Sequence, residues 1–106
     1  MRILKYQKLV RDRIPEIIEA SGKYCKTEVL SDAEYLKKLE EKLDEELAEY
    51  QKEHNIEELA DLLEVIYSVA VAQGYSIEEL ESVRAKKAET RGGFKKRILL
   101  VETIEM

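Results

Sequence analysis

The chain has 106 residues, enough for one domain with one modest core. Apolar residues make up 44% and charged residues 39%, a mixture that fits helices with long solvated faces, and the net charge of −5 argues against a nucleic-acid polymer as partner. Cys25 is the only cysteine, which excludes an intramolecular disulfide and a Cys-built metal site and leaves packing as its expected role.

Residues 1–13 carry Arg2, Lys5, Lys8, Arg11 and Arg13 against Asp12 alone, with no charged-then-apolar signal pattern. Pro15 suits the first turn of a helix over roughly 14–21, stopped by Gly22. Residues 24–30 read as extended and β-prone. Ser31 and Glu34 have capping-box spacing and open a long helix, whose stripe is Leu36, Leu39, Leu43, Leu47 and Tyr50. The pattern breaks at His54 and Asn55, so the lone histidine belongs to an exposed turn and is not catalytic. Asn55 and Glu58 open a third helix running to about Gln73, with Gly74 beyond its end. Its longest apolar stretch, residues 62–72, is interrupted by Glu64 and Ser68 and is too short to span a bilayer, so a cytoplasmic protein with no membrane partner is expected. Ser76 and Glu79 cap a fourth helix that ends near Arg91 at Gly92-Gly93. Residues 97–104 are β-prone enough for a short strand beside residues 24–30 or 3–9.

The expected fold is therefore mainly α, a four-helix bundle with short accessory β segments. The third helix is apolar around nearly its whole circumference, through Leu59, Leu62, Leu63, Val65, Ile66, Val69 and Val71. Such a helix needs burial on most sides, which a chain this short supplies best by oligomerisation.

Two acidic motifs fall on the two longest helices: Glu45-Glu46-x-x-Glu49 and Glu58-x-x-Asp61. Carboxylates three apart on a helix project to one side. A chain reversal at 54–55 then lets Glu46, Glu49, Glu58 and Asp61 converge across one helix pair. An all-oxygen set selects a hard cation, Mg²⁺ or Mn²⁺. Asp61 is the most informative of the four, because it is a poor helix former set among apolar neighbours; Glu58 also has the place of a capping partner for Asn55. Farther on, Arg84, Lys87 and Arg91 share one face of the fourth helix. They read equally as a phosphate clamp or as cations drawn to a helix C-terminus.

The pairing of these motifs on consecutive helices resembles the MazG-like all-α NTP pyrophosphohydrolase superfamily, which includes dimeric dUTPases and phosphoribosyl-ATP pyrophosphohydrolases. The opening Lys8-Leu-Val-Arg-Asp-Arg-Ile-Pro15 and the later Arg91-Gly-Gly-Phe94 are similar to a small subgroup described as house-cleaning pyrophosphatases for noncanonical nucleotides. The resemblance covers nearly all of residues 1–106 as a single domain. It implies Mg²⁺-dependent hydrolysis of a nucleoside triphosphate to monophosphate and pyrophosphate. Glu46, Glu49, Glu58 and Asp61 would be metal ligands, with Glu45 or Glu49 acting on the attacking water. Lys87 and Arg91 would contact phosphate, with Lys86 an alternative to Lys87; Arg11 and Arg13 read equally as additional phosphate contacts and as N-terminal surface charges. The other readings are the same chemistry on a phosphoribosyl nucleotide, and a non-catalytic helical module whose third helix binds a partner.

Overall fold

Short polar side chains decide where the helices of this chain begin. The computed structural model describes residues 2–106 and contains four helices: α1 (Ile14–Ala20), α2 (Asp32–Glu53), α3 (Ile56–Ala72) and α4 (Ile77–Arg91). Ser31 caps α2, its Oγ accepting from the Glu34 amide at 3.3 Å. Asn55 caps α3 by accepting from the Glu58 amide at 2.9 Å. Ser76 and Glu79 form a complete capping box at the start of α4. Each cap satisfies an amide that has no partner within its helix.

The turn between α2 and α3 is two residues long. His54 takes a left-handed conformation (φ 54°), and its amide donates to the Tyr50 carbonyl at 2.7 Å. The ring of His54 meets Tyr50 edge-on at 5.6 Å, and the residue is exposed, as a turn position should be. Asn55 then caps the next helix at once. A reversal this tight lays α3 back along α2 as a helical hairpin, and these two helices pack against each other.

Leu39, Val65 and Ala70 are buried in that contact. Leu36, Leu43, Tyr50, Leu62, Tyr67 and Val69 are half-buried around them. Leu47 of the expected α2 stripe remains exposed. On α3, Ile56, Leu59, Leu63 and Ile66 are also exposed and follow helical spacing along one face. The hairpin therefore covers part of the apolar girth of α3 and leaves a stripe uncovered.

The chain divides into two compact units, one ending at Tyr75 and the other beginning at Ser76. The first holds α1, α2 and α3, and the second holds α4 and the C-terminal segment. Cys25 is half-buried in the first unit, with its Sγ 3.9 Å from the Pro15 carbonyl.

The mainly helical class agrees with the sequence reading, but the accessory β segments do not form. Residues 24–30 and 97–104 are irregular, and no strand occurs among the described residues. A strand is stable only when a neighbour takes up its backbone groups. Here the β-prone side chains face water instead, with Tyr24, Val29, Leu99 and Val101 all strongly exposed. No helix is long and apolar enough to cross a membrane.

The burial pattern predicts a sharp contrast between two substitutions. Leu39→Ala, in the hairpin contact, should cost about 2–5 kcal/mol of unfolding free energy. Val101→Ala, in the exposed tail, should stay within about 0.5 kcal/mol of the parent. Urea denaturation of both variants measures the difference.

Candidate metal centre

The hairpin brings carboxylates from both helices onto one stretch of surface. Glu46 comes from α2, and Glu58 and Asp61 come from the first turns of α3. Each can offer a carboxylate oxygen such that the three oxygens lie within 4.8 Å of one another. All three residues are half-buried. The sequence spacing that placed Glu58 and Asp61 on one face of α3 is thus realised, and the reversal at His54-Asn55 adds Glu46 from across the hairpin.

Glu49 is the fourth expected ligand and does not join this triad. It lies three residues nearer the turn and is exposed. It remains close enough to act on its neighbours electrostatically. The Glu58 carboxyl is held above the usual carboxylate range, first by partial removal from water and then by the negative charges of Asp61, Glu49, Glu46 and Glu53.

The capping geometry distinguishes Glu58 from Glu79. At Ser76 the Glu79 carboxylate returns to accept from the Ser76 amide at 3.3 Å. At Asn55 only the side-chain half of that arrangement forms. The Glu58 carboxylate lies instead with Glu46 and Asp61.

Three cations balance this surface. Arg11, in the N-terminal segment, donates from Nη2 to Asp61 Oδ1 at 2.7 Å. Lys8 lies 3.6 Å from Glu45. Lys42 reaches both Glu45, at 3.4 Å, and Glu46, at 3.5 Å, one turn along its own helix. The Lys42–Glu46 pair is the most shielded of these, with side-chain exposures of 16% and 13%. Lys8 and Lys42 were not singled out from the sequence. Lys42 was legible there, because it stands three and four residues before Glu45 and Glu46. Lys8 was not, because its contact crosses from an irregular segment to α2.

The remaining expected residues fall into separate groups. Glu45, expected near the attacking water, is engaged by Lys8 and Lys42. Arg13 pairs with Glu16 at 2.7 Å, three residues along the chain. Lys86, Lys87 and Arg91 are exposed on α4 in the second unit. Arg84, on the same helix, forks onto Glu81, with its Nε 2.9 Å from Oε2.

No established family profile matches this chain, and no solved structure matches it. It is similar to a protein of Mycolicibacterium smegmatis (strain ATCC 700084 / mc(2)155) described as an uncharacterized protein, with 61% identity over 41 residues. That stretch is 39% of this chain and 42% of the relative, so the chain spans less than half of the relative's length in the match.

The crowding of Glu58 has a consequence for stability. Its carboxyl is raised in the folded state, so folding disfavours its ionised form. Stability is therefore lost as the pH rises through and above 4.5, the ordinary value for this group. Glu58→Gln removes the charge that is repelled. In EDTA at neutral pH the variant should melt at a higher temperature than the parent and lose less stability between acid and neutral pH. Thermal melts across that pH range test this, and a variant that melts lower at neutral pH would contradict it.

Proposed function

We propose that the triad on the α2–α3 hairpin is a divalent-cation site and that the protein is a nucleoside-triphosphate pyrophosphohydrolase of the MazG-like kind. The observation that carries this reading is the meeting of Glu46, Glu58 and Asp61 from two helices. The donor set is entirely carboxylate oxygen, which suits Mg²⁺ and Mn²⁺ and disfavours softer ions. Glu46, Glu58 and Asp61 would hold such a cation through one carboxylate oxygen each.

The reaction is attack of water on the α-phosphorus, with cleavage of the α–β anhydride bond to give the monophosphate and pyrophosphate. Bound at the triad, a divalent cation would supply positive charge against the polyphosphate and would acidify water. Glu46, Glu58 and Asp61 hold it. Glu49 accepts the proton of the attacking water. It suits that role better than Glu45, because it is exposed and makes no ion pair among the described residues, whereas Glu45 is tied by two lysines. The substrate is a nucleotide, in this reading a noncanonical one, acted on in the cytoplasm.

The exposed face of Ile56, Leu59, Leu63 and Ile66 supports a homodimer or homotetramer as the working form. The same face would also serve a helical interaction module, and the metal chemistry separates the two readings.

Asp61→Asn is the most informative variant for activity. Its partner Arg11 is largely solvent-exposed, with side-chain exposures of 56% and 42% across the pair. A pair of that kind contributes only about 0–1 kcal/mol, so the substitution should leave the fold nearly as stable as the parent. Pyrophosphate release from NTPs in Mg²⁺ should fall by about a hundredfold or more, the order of loss expected when a key stabilising group is removed. A stable variant with full activity would remove Asp61 from the site. A parent protein that releases no pyrophosphate from any canonical or modified NTP would overturn the assignment.

A further inference from the structure

Residues 2–13, ahead of α1, have no regular structure, yet they make contacts with the acidic face of the hairpin. Its attachments are the Gln7 carbonyl, which accepts from Lys38 Nζ at 3.5 Å, and the ion pairs Lys8–Glu45 and Arg11–Asp61. All three bridge residues far apart in the chain. All lie at the surface, where such contacts are individually weak. Gln7 sits at φ 51°, in the left-handed region that side chains other than glycine rarely adopt. The arm is thus held by charge, against a local backbone preference, and one of its attachment points is a carboxylate of the triad.

We propose that this arm is an exchangeable counter-ion: Arg11 neutralises Asp61 while the triad holds no divalent cation, and it is released from Asp61 when the cation binds. The inference rests on the reading of the triad as a cation site. A dication beside Asp61 satisfies the carboxylate and repels the guanidinium. The two therefore compete for Asp61. Lys42 differs, because it belongs to α2, is well shielded and reaches Glu46 within one helical turn, so it stays with the hairpin. Release frees Arg11 and Lys8 together, on a flexible arm beside the site, as donors for the phosphates of a nucleotide. Arg11 is then a positioning residue whose partner changes from carboxylate to phosphate. The arm is held down when the cation is absent and mobile when it is present.

The competition makes a prediction opposite in sign to that for an ordinary supporting residue. Removing Arg11 should strengthen binding of Mg²⁺ alone. Exposed ion pairs of this kind are worth up to about 1 kcal/mol, so Arg11→Gln should bind Mg²⁺ about two- to fivefold tighter than the parent by calorimetry. Lys5→Gln removes one charge from the same arm at a residue with no ion pair among the described residues, and its Mg²⁺ affinity should match the parent. In the parent protein, Mg²⁺ should also speed tryptic cleavage after Lys8 and Arg11. Equal or weaker Mg²⁺ binding by Arg11→Gln overturns the exchange while leaving the cation site standing. An equal gain in Lys5→Gln also overturns it, since the effect would then be one of net charge. Absence of Mg²⁺ binding in the parent and in Arg11→Gln alike overturns both the exchange and the cation site.

Discussion

Mutual repulsion among Glu46, Glu58 and Asp61 is the constraint around which the first unit is arranged. Three carboxylates gathered on a half-buried surface oppose folding unless something offsets their charge. The hairpin cannot avoid the gathering. Its two-residue turn, with His54 left-handed and Asn55 capping the next helix, fixes how α3 lies against α2. Burial of Leu39, Val65 and Ala70 then holds the helices at that setting. Apolar packing, which has no stake in the acids, is what forces them together.

The cations around the triad follow from the same constraint. Lys42 answers Glu46 from within α2, and the N-terminal segment brings Lys8 and Arg11 from outside it. The two kinds of answer differ physically. A helix-borne lysine keeps its geometry whatever the site holds. Arg11 reaches Asp61 from an irregular segment, through a solvent-exposed pair.

Much of this was legible in the sequence, for identifiable reasons. Helix boundaries were readable because Ser31, Asn55 and Ser76 carry local capping chemistry that does not depend on the rest of the fold. The meeting of Glu46 with Glu58 and Asp61 followed from periodicity and one turn. The exclusion of Glu49 from the triad did not, because helical spacing says which residues share a face and not how far each carboxylate reaches across a hairpin. Residues 24–30 and 97–104 misled for a related reason. Their side chains favour extended backbone, but a strand depends on a partner that local sequence does not specify. Arg11–Asp61 spans fifty positions and no periodic pattern, so nothing in the spacing announced it. A basic N-terminus ahead of an acidic middle hinted at attraction without naming the pair.

The central claim is that these three carboxylates form one cation site, and spin resonance of Mn²⁺ examines it without reference to catalysis. Free Mn²⁺ gives a strong solution signal that is lost on binding, so titration against the protein counts sites directly. The account predicts saturable binding to the parent and its loss when Glu46, Glu58 and Asp61 are changed together to their amides, with the helical fold retained by circular dichroism. Saturable binding that survives in the folded triple variant, or none in the parent, would contradict it.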